Sequence, residues 1–127
     1  MTLGRIALIL NAKIYTPADP DTAEADRVYA GDKMSDLLNE SSACTLLITN
    51  LNNQQLMRAA ELMDVPGICL VRGAVPDRET VDALLESGTV LMSSPHGMFE
   101  TCGILYAGFM QEKRYTDEQS LLHDSRE

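Results

Sequence analysis

The sequence has no tryptophan, two phenylalanines, two histidines and three widely spaced cysteines. Cys44, Cys69 and Cys102 form no Cys-x-x-Cys pair, and with two histidines they fall short of the ligand sets of zinc and iron–sulfur sites. We therefore expect no metal and no cofactor. The odd number and wide spacing of the cysteines favour free thiols, which are typical of a reduced, cytoplasmic protein.

Basic residues are also scarce. Ten Lys and Arg stand against 19 Asp and Glu, for a net charge of −9. Nucleic acids and anionic membrane surfaces both attract basic patches, so neither is an expected partner. The chain has no apolar run long enough to span a membrane and no recognisable signal peptide. Gly-rich phosphate-binding motifs and P-loops are missing, which argues against a nucleotide-triphosphate site.

The hydrophobic content of 45% over 127 residues predicts one ordinary domain with its own core. The run RIALIL (5–10) is apolar at nearly every position, as expected of a strand buried on both faces. An acidic segment with two prolines follows, at about 15–26, and is predicted to be mobile. RVYAG (27–31) favours a short strand. DKMSDLLN (32–39) favours a short helix with Asp32 as its N-cap.

Strand and helix patterns then alternate three times, with strands predicted at 44–49, 67–71 and 89–93. Each is followed by an amphipathic helix, and the second helix is predicted to bury Val81, Leu84 and Leu85 and to end at Gly88. This pattern predicts an α/β fold with a mainly parallel sheet of four to five strands. We expect one domain over residues 1–111 and an unordered polar tail over residues 112–127.

A ligand site in such a fold is expected beyond the carboxyl ends of the strands. Three strand-to-helix loops should gather there, and their polar side chains make a small-molecule pocket the functional hypothesis. The alternative is that Asn52, Asp77 and Gly97 only cap helices. The candidate ligand-binding residues are Asn50, Asn52, Arg72, Ser94 and His96.

The segment SSPHGMFETCGILYAGF (93–109) contains the residue types of a thiol nucleophile, a base and an orienting carboxylate. However, Glu100 and Cys102 are two residues apart, and such a pair does not share a helix face. The helical period places Cys102 with Phe99, Gly103, Tyr106 and Met110, and we expect this face to pack on the core. A buried free cysteine is usually inert. We therefore predict no catalytic residues.

The same helix is apolar on its other sides as well, which predicts a homodimer. The candidate interface consists of Ile104, Leu105 and Phe109, with Gly103 and Ala107 allowing close approach of a second backbone. The alternative is that the tail, through Leu121 and Leu122, covers this surface.

Three stretches resemble the DRTGG-domain family, namely RVYAGDKMSDLLN (27–39), GICLVRGAVPDRETVDALLESG (67–88) and LMSSPHGMFETCGILYAGF (91–109). The resemblance covers residues 27–110. It implies the fold that also forms the amino-terminal domain of HPr kinase/phosphorylase and that accompanies CBS domains and phosphotransacetylase in larger chains.

The resemblance also implies a role, since such domains are regulatory or accessory and carry no catalytic groups. Stand-alone members are similar to proteins encoded beside hydrogenase-type redox enzymes, so a partner enzyme is expected, and a dimer agrees with the resemblance. The chain departs from the family at its naming motif, because Asn50, Leu51, Asn52 and Asn53 stand where the acid and arginine would be. The functional expectation is a non-catalytic regulatory or sensor domain that binds a small polar metabolite or a nucleotide-like ligand. The alternative is a structural interaction subunit that is accessory to a redox (hydrogenase-type) or metabolic enzyme and binds no small molecule.

Overall fold

A computed structural model describes the backbone of residues 1–124 and the side chains of residues 1–119. The elements in chain order are α1 (Leu3–Leu10), β1 (Lys13–Ile14), β2 (Arg27–Ala30), α2 (Met34–Glu40), β3 (Thr45–Thr49), α3 (Gln54–Leu62), β4 (Gly67–Leu70), α4 (Arg78–Asp82), β5 (Val90–Ser93) and α5 (Met98–Asp124).

The five strands form one sheet in the order β1-β5-β4-β3-β2. Strands β2 to β5 are parallel, and β1 pairs with β5 in the antiparallel direction. The expected α/β fold with a mainly parallel sheet is confirmed. All side chains of β3, β4 and β5 are buried, because the sheet has helices on both faces.

Successive strand residues point to opposite faces of the sheet and contribute to two separate hydrophobic cores. One core joins α1 and α5 to the sheet and contains Leu3, Ile6 and Leu105 among its buried residues. The other joins α2, α3 and the α4 region to the opposite face and contains Leu37 and Leu56. Gly67 opens β4 where α1 crosses the sheet, and a Cβ there would lie 2.5 Å from Leu3 Cδ1. The domain is therefore a three-layer α/β/α sandwich.

The prediction of a strand at residues 5–10 was wrong, because this segment belongs to α1. Thr2 caps the helix by accepting a hydrogen bond from Arg5 N–H at 3.1 Å. Leu3, Ile6 and Leu10 face the core at helical spacing, while Leu8 is 77% exposed. An exposed leucine extended the apolar run and gave it the appearance of a doubly buried strand.

The loop predicted to be mobile, residues 15–26, is anchored along its length. Its backbone bonds to the start of α1, with Leu3 N–H donating to Ala23 C=O and Gly4 N–H donating to Pro20 C=O. Thr16 is buried, and its Oγ1 accepts a hydrogen bond from Leu91 N–H at 3.0 Å. These contacts fix both ends of the loop against the sheet and α1.

Three helix boundaries differ from the predictions. Lys33, not Asp32, occupies the N-cap position of α2, and no side-chain capping bond is made there. Helix α4 ends at Asp82 and turns continue to Gly88, so Leu84 is buried while Leu85 is 45% exposed. The expectation of an unordered tail from residue 112 was wrong for the part described, because α5 continues to Asp124. Residues 125–127, and the side chains of Leu121 and Leu122, lie outside the described residues.

The predicted orientation of α5 was also wrong. Leu105 and Thr101 are buried, and Ile104 and Phe109 are partly buried against the core, so this is the inward face. Phe99 and Tyr106 are 90% and 70% exposed. The helix is apolar all round, so its sequence period alone could not show which side meets the sheet.

Candidate functional site at the carboxyl ends of the strands

Three loops meet where the parallel strands end, and we call them together the carboxyl rim. They are the β3–α3 loop (50–53), the β4–α4 loop (71–77) and the β5–α5 loop (94–97). Arg72 N–H donates to His96 C=O at 2.7 Å, and Gly73 N–H donates to Ser94 C=O at 2.8 Å. The rim thus places Arg72, Ser94 and His96 side by side, at one end of the sheet.

The β4–α4 loop has an uncommon backbone at this point. Arg72 and Gly73 both have left-handed φ angles, 60° and 65°. A non-glycine residue in this region is disfavoured by contact of its Cβ with the backbone. The two hydrogen bonds to the β5–α5 loop hold the strained turn in place, and the Arg72 side chain is left exposed to solvent.

The β3–α3 loop reaches the same rim through Asn52. Its Nδ2 donates to Val75 C=O at 3.3 Å, and its Oδ1 is buried without a hydrogen-bond partner among the described residues. Helix α3 is capped by the next residue, since Asn53 Oδ1 accepts from Leu56 N–H at 2.8 Å. The alternative that Asn52 caps the helix was therefore wrong. Asn50, the first residue of the loop, is exposed.

The other two residues named as possible caps, Asp77 and Gly97, do lie at the starts of helices. Asp77 caps α4 by accepting from Thr80 N–H at 2.9 Å and from Thr80 Oγ1 at 2.6 Å. These hydrogen bonds lower the pKa of the Asp77 carboxyl. Gly97 immediately precedes α5, and its carbonyl accepts the first helical hydrogen bond from Thr101 N–H.

Ser94 is fully buried, and its hydroxyl is engaged within the protein. The Ser94 and Thr101 hydroxyl oxygens lie 2.9 Å apart, and Ser94 Oγ also accepts from His96 N–H at 3.2 Å. Ser94 therefore fixes the shape of the β5–α5 loop against the first turn of α5.

The neighbouring residue, Ser93, was missed in the sequence. It is 4% exposed, and its Oγ has no hydrogen-bond partner among the described residues. Register places it in one row with Leu70 and Thr49, across β5, β4 and β3. A hydroxyl at the last position of a buried strand is the sequence feature that could have identified Ser93. The adjacent Ser94 also has a hydroxyl, so the sequence did not distinguish between the two serines.

The thiol and the imidazole of this region do not form a catalytic pair. His96 Nδ1 lies 3.8 Å from Glu100 Oε2 in a solvent-exposed contact. Cys102 is half-buried rather than fully buried, and burial raises the pKa of its thiol. A catalytic cysteine needs a lowered pKa to be present as thiolate, so these groups are not arranged for nucleophilic catalysis.

The remaining chemistry of the described part of the chain is limited. Within it, no group of three His, Cys, Asp or Glu residues is placed to hold a metal ion, and no helix is long and apolar enough to cross a membrane. A depression of about 700 Å³ lies at the opposite, amino ends of β4 and β5. Glu61, Asp64 and Glu86 line it, so their carboxylates oppose the binding of an anion there.

No family model matches the chain, and no curated protein matches it. One similar solved structure is that of the CBS and DRTGG domains of the regulatory region of Clostridium perfringens pyrophosphatase, complexed with its activator, diadenosine tetraphosphate. The TM-score is 0.63 at 13% identity, over 81% of this chain and 45% of that chain. The chain thus spans less than half of the solved regulatory region, and the likeness establishes a related fold.

Proposed function

We propose that this chain is a non-catalytic regulatory or sensor domain that binds a small polar ligand at the carboxyl rim. The observation that carries the proposal is the pair of buried, unpartnered oxygens, Asn52 Oδ1 and Ser93 Oγ. Buried polar atoms in proteins almost always have hydrogen-bond partners, so each exception calls for an explanation, such as a bound water, ion or ligand group. A ligand at the rim would supply the missing partners.

The chemistry of the rim favours a ligand that carries both hydrogen-bonding groups and negative charge. Arg72 presents an exposed guanidinium, which binds carboxylate or phosphate in a bidentate manner. The first turns of α3 and α5 start from this end of the sheet, so their partial positive charges add to that of Arg72. A nucleotide-like metabolite combines these features.

The comparison with the pyrophosphatase regulatory region supports a regulatory role, because that region binds a nucleotide activator. The identity of the ligand does not transfer. The solved region is more than twice the length that this chain covers. Residues 50–53 of this chain also have asparagines where, by the sequence resemblance, the DRTGG motif would have its acid and arginine.

The test is a thermal-shift titration with AMP, ATP, diadenosine tetraphosphate and inorganic phosphate. A ligand present at one hundred times its Kd stabilises the folded state by about 2.7 kcal/mol. The informative variant is Arg72→Gly, which removes the guanidinium and relaxes the left-handed backbone instead of straining it. Lys113→Ala is the matched control, since it removes an exposed charge of the same sign from α5.

We expect at least one compound to raise the Tm of the wild type and of Lys113→Ala, and to lose most of its effect on Arg72→Gly. If no compound shifts the Tm, or if Arg72→Gly responds as the wild type does, the rim is not the site. The Tm of each variant is also measured without ligand, because a variant that is folded but does not respond has lost binding and not its fold.

The second candidate function is a structural interaction subunit that acts as a homodimer or on a partner enzyme. The observation that favours it is a shallow apolar groove of about 530 Å³ between α1 and α5, lined by Ile9, Ile104, Ala107 and Gly108 among others. The helices meet closely at Gly108, where a Cβ would lie 2.8 Å from Ile9 Cδ1. Ala107 is the exposed member of this lining next to Gly108.

The dimer test must avoid Leu105, because its side chain belongs to the core. Ala107→Glu places a charge on the exposed wall of the groove and leaves the core intact. Sedimentation velocity at micromolar concentration should give a dimer for the wild type and a monomer for Ala107→Glu. A monomeric wild type would contradict the proposed homodimer.

A further inference from the structure

Strand β2 leaves one edge of the sheet unpaired. It is the last strand in the sheet order, and within residues 1–124 no other strand lies beyond it. Arg27 N–H donates to Cys44 C=O, and Gly31 N–H donates to Ile48 C=O, so alternate residues point toward β3. The N–H and C=O groups of Val28 and Ala30 therefore point outward, and they can pair with a further strand.

An apolar groove of about 360 Å³ runs along this edge on the α5 side. Val28 and Ala30 form its strand wall, with Asp26 at one end, and the helix wall consists of Cys102, Leu105, Tyr106 and Phe109. Val28 is 37% exposed and Tyr106 is 70% exposed. The groove can therefore accept alternate apolar side chains of an added strand.

The opposite face of the same edge is acidic. Tyr29 points to this face, and desolvation raises the pKa of its phenol, while the nearby carboxylates of Asp36, Glu40 and Asp32 raise it further. Between residues 27 and 40 three acidic side chains stand against two basic ones. The acids are Asp32, Asp36 and Glu40, and the bases are Arg27 and Lys33.

We propose that the β2 edge binds an extended segment of a partner polypeptide in which apolar residues alternate with lysine or arginine. The backbone of the segment would continue the sheet through Val28 and Ala30. Its apolar side chains would enter the groove beside α5, and its basic side chains would face the carboxylates on the α2 side. The alternation follows from the two faces of a strand.

A second copy of this chain fits the edge less well. In the antiparallel register that pairs Val28 with Ala30 of the second copy, Asp26 would stand opposite Asp32 of that copy. Like charges directly opposite each other destabilise strand pairing. The net charge of −9 adds to the repulsion between copies and favours a basic partner.

The probe is a short labelled peptide of alternating valine and lysine, and the same peptide with glutamate in place of lysine is its control. Val28→Pro is the informative variant. It removes an outward N–H and keeps the bonds to β3, and proline is tolerated at such edge positions. Glu40→Lys tests the contribution of the carboxylates on the α2 side to peptide binding. Lysine at the C-terminal end of α2 is compatible with the helix.

Fluorescence anisotropy should show binding of the lysine peptide and not of the glutamate peptide. Affinity should fall about tenfold or more in Val28→Pro and about threefold in Glu40→Lys. Equal binding of both peptides, or unchanged binding by a folded Val28→Pro, would overturn the proposal. A wild-type dimer that Val28→Pro dissociates would assign the edge to a second copy instead.

Discussion

The hydroxyls of Ser94 and Thr101 lie 2.9 Å apart, and both side chains are completely buried. Ser94 directly follows β5, and Thr101 lies in the first turn of α5. Their contact joins the rim to the helix that starts beside it. Ser94 was a candidate ligand contact, and its position shows that it can contribute to a site by holding the β5–α5 loop in shape.

The first prediction concerns this contact. Ser94→Ala and Thr101→Val should each lower the free energy of unfolding by about 1–2 kcal/mol, because each leaves a buried hydroxyl without its best partner. The double variant should cost less than the sum, since it removes both polar groups at once. Urea unfolding of the wild type, the two single variants and the double variant measures the interaction free energy between the two hydroxyls. Strict additivity would mean that the two hydroxyls do not interact.

The second prediction concerns the cap of α3. Asn53→Ala should lower the free energy of unfolding by about 1 kcal/mol, because Leu56 N–H loses its acceptor. Asn53→Asp keeps an acceptor and serves as the control. Asn52→Ala should cost less, since it loses a longer hydrogen bond and also removes a buried unpartnered oxygen. A larger cost at Asn52 would contradict the cap assignment.

The third prediction concerns Cys69, which lies in the central strand β4. Burial raises the pKa of its thiol from 9.0 to about 12. Below pH 9 the thiol is protonated in both the folded and the unfolded state, and its contribution to stability is complete. Between pH 9 and 12 the unfolded state releases the proton first, so stability should fall by roughly 1.4 kcal/mol per pH unit.

The matched variant for this measurement is Cys69→Val, which fills a similar volume and does not titrate. The free energy of unfolding of both proteins is measured by chemical unfolding from pH 8 to pH 10. The difference between the two proteins isolates the effect of the thiol from that of other groups that titrate at alkaline pH. We expect the wild type to lose stability more steeply than Cys69→Val above pH 9. Parallel curves would show that the thiol is not protected by burial.

The fourth prediction concerns the left-handed backbone at Arg72. Arg72→Gly should raise the free energy of unfolding by up to about 1 kcal/mol, because glycine adopts a φ of 60° without a Cβ contact. Arg72→Ala keeps the strain and loses the same charge, so it is the control. If the two variants have equal stability, the turn is not strained.

The sequence predicted the repeated part of the fold because strand and helix periods there agree with burial. It failed at residues 5–10, where exposed Leu8 extended an apolar run and hid the helical period of Leu3, Ile6 and Leu10. It failed again on α5, where both faces are apolar. Which face is buried depends on the sheet, and a local pattern does not contain that information.

At the candidate site, the position of the loops could be predicted and the roles of adjacent residues could not. The carboxyl-end rule brought Arg72, Ser94 and His96 together correctly in space. Within the pairs Asn52–Asn53 and Ser93–Ser94, however, one member serves the local structure and the other has a buried unpartnered oxygen. Two like residues in succession give the same sequence signal, and the backbone direction decides between them.

Binding of a small polar ligand at the carboxyl rim can be located residue by residue with an amide chemical-shift titration. The uniformly ¹⁵N-labelled protein is titrated with the compound that gives the largest thermal shift. We expect saturable shifts concentrated at the backbone amides of five rim residues, namely Asn52, Arg72, Gly73, Ser93 and His96. Shifts concentrated in residues 61–66 and 86–89, at the opposite end of the sheet, or no saturable shift with any of the four compounds, would contradict binding at the rim.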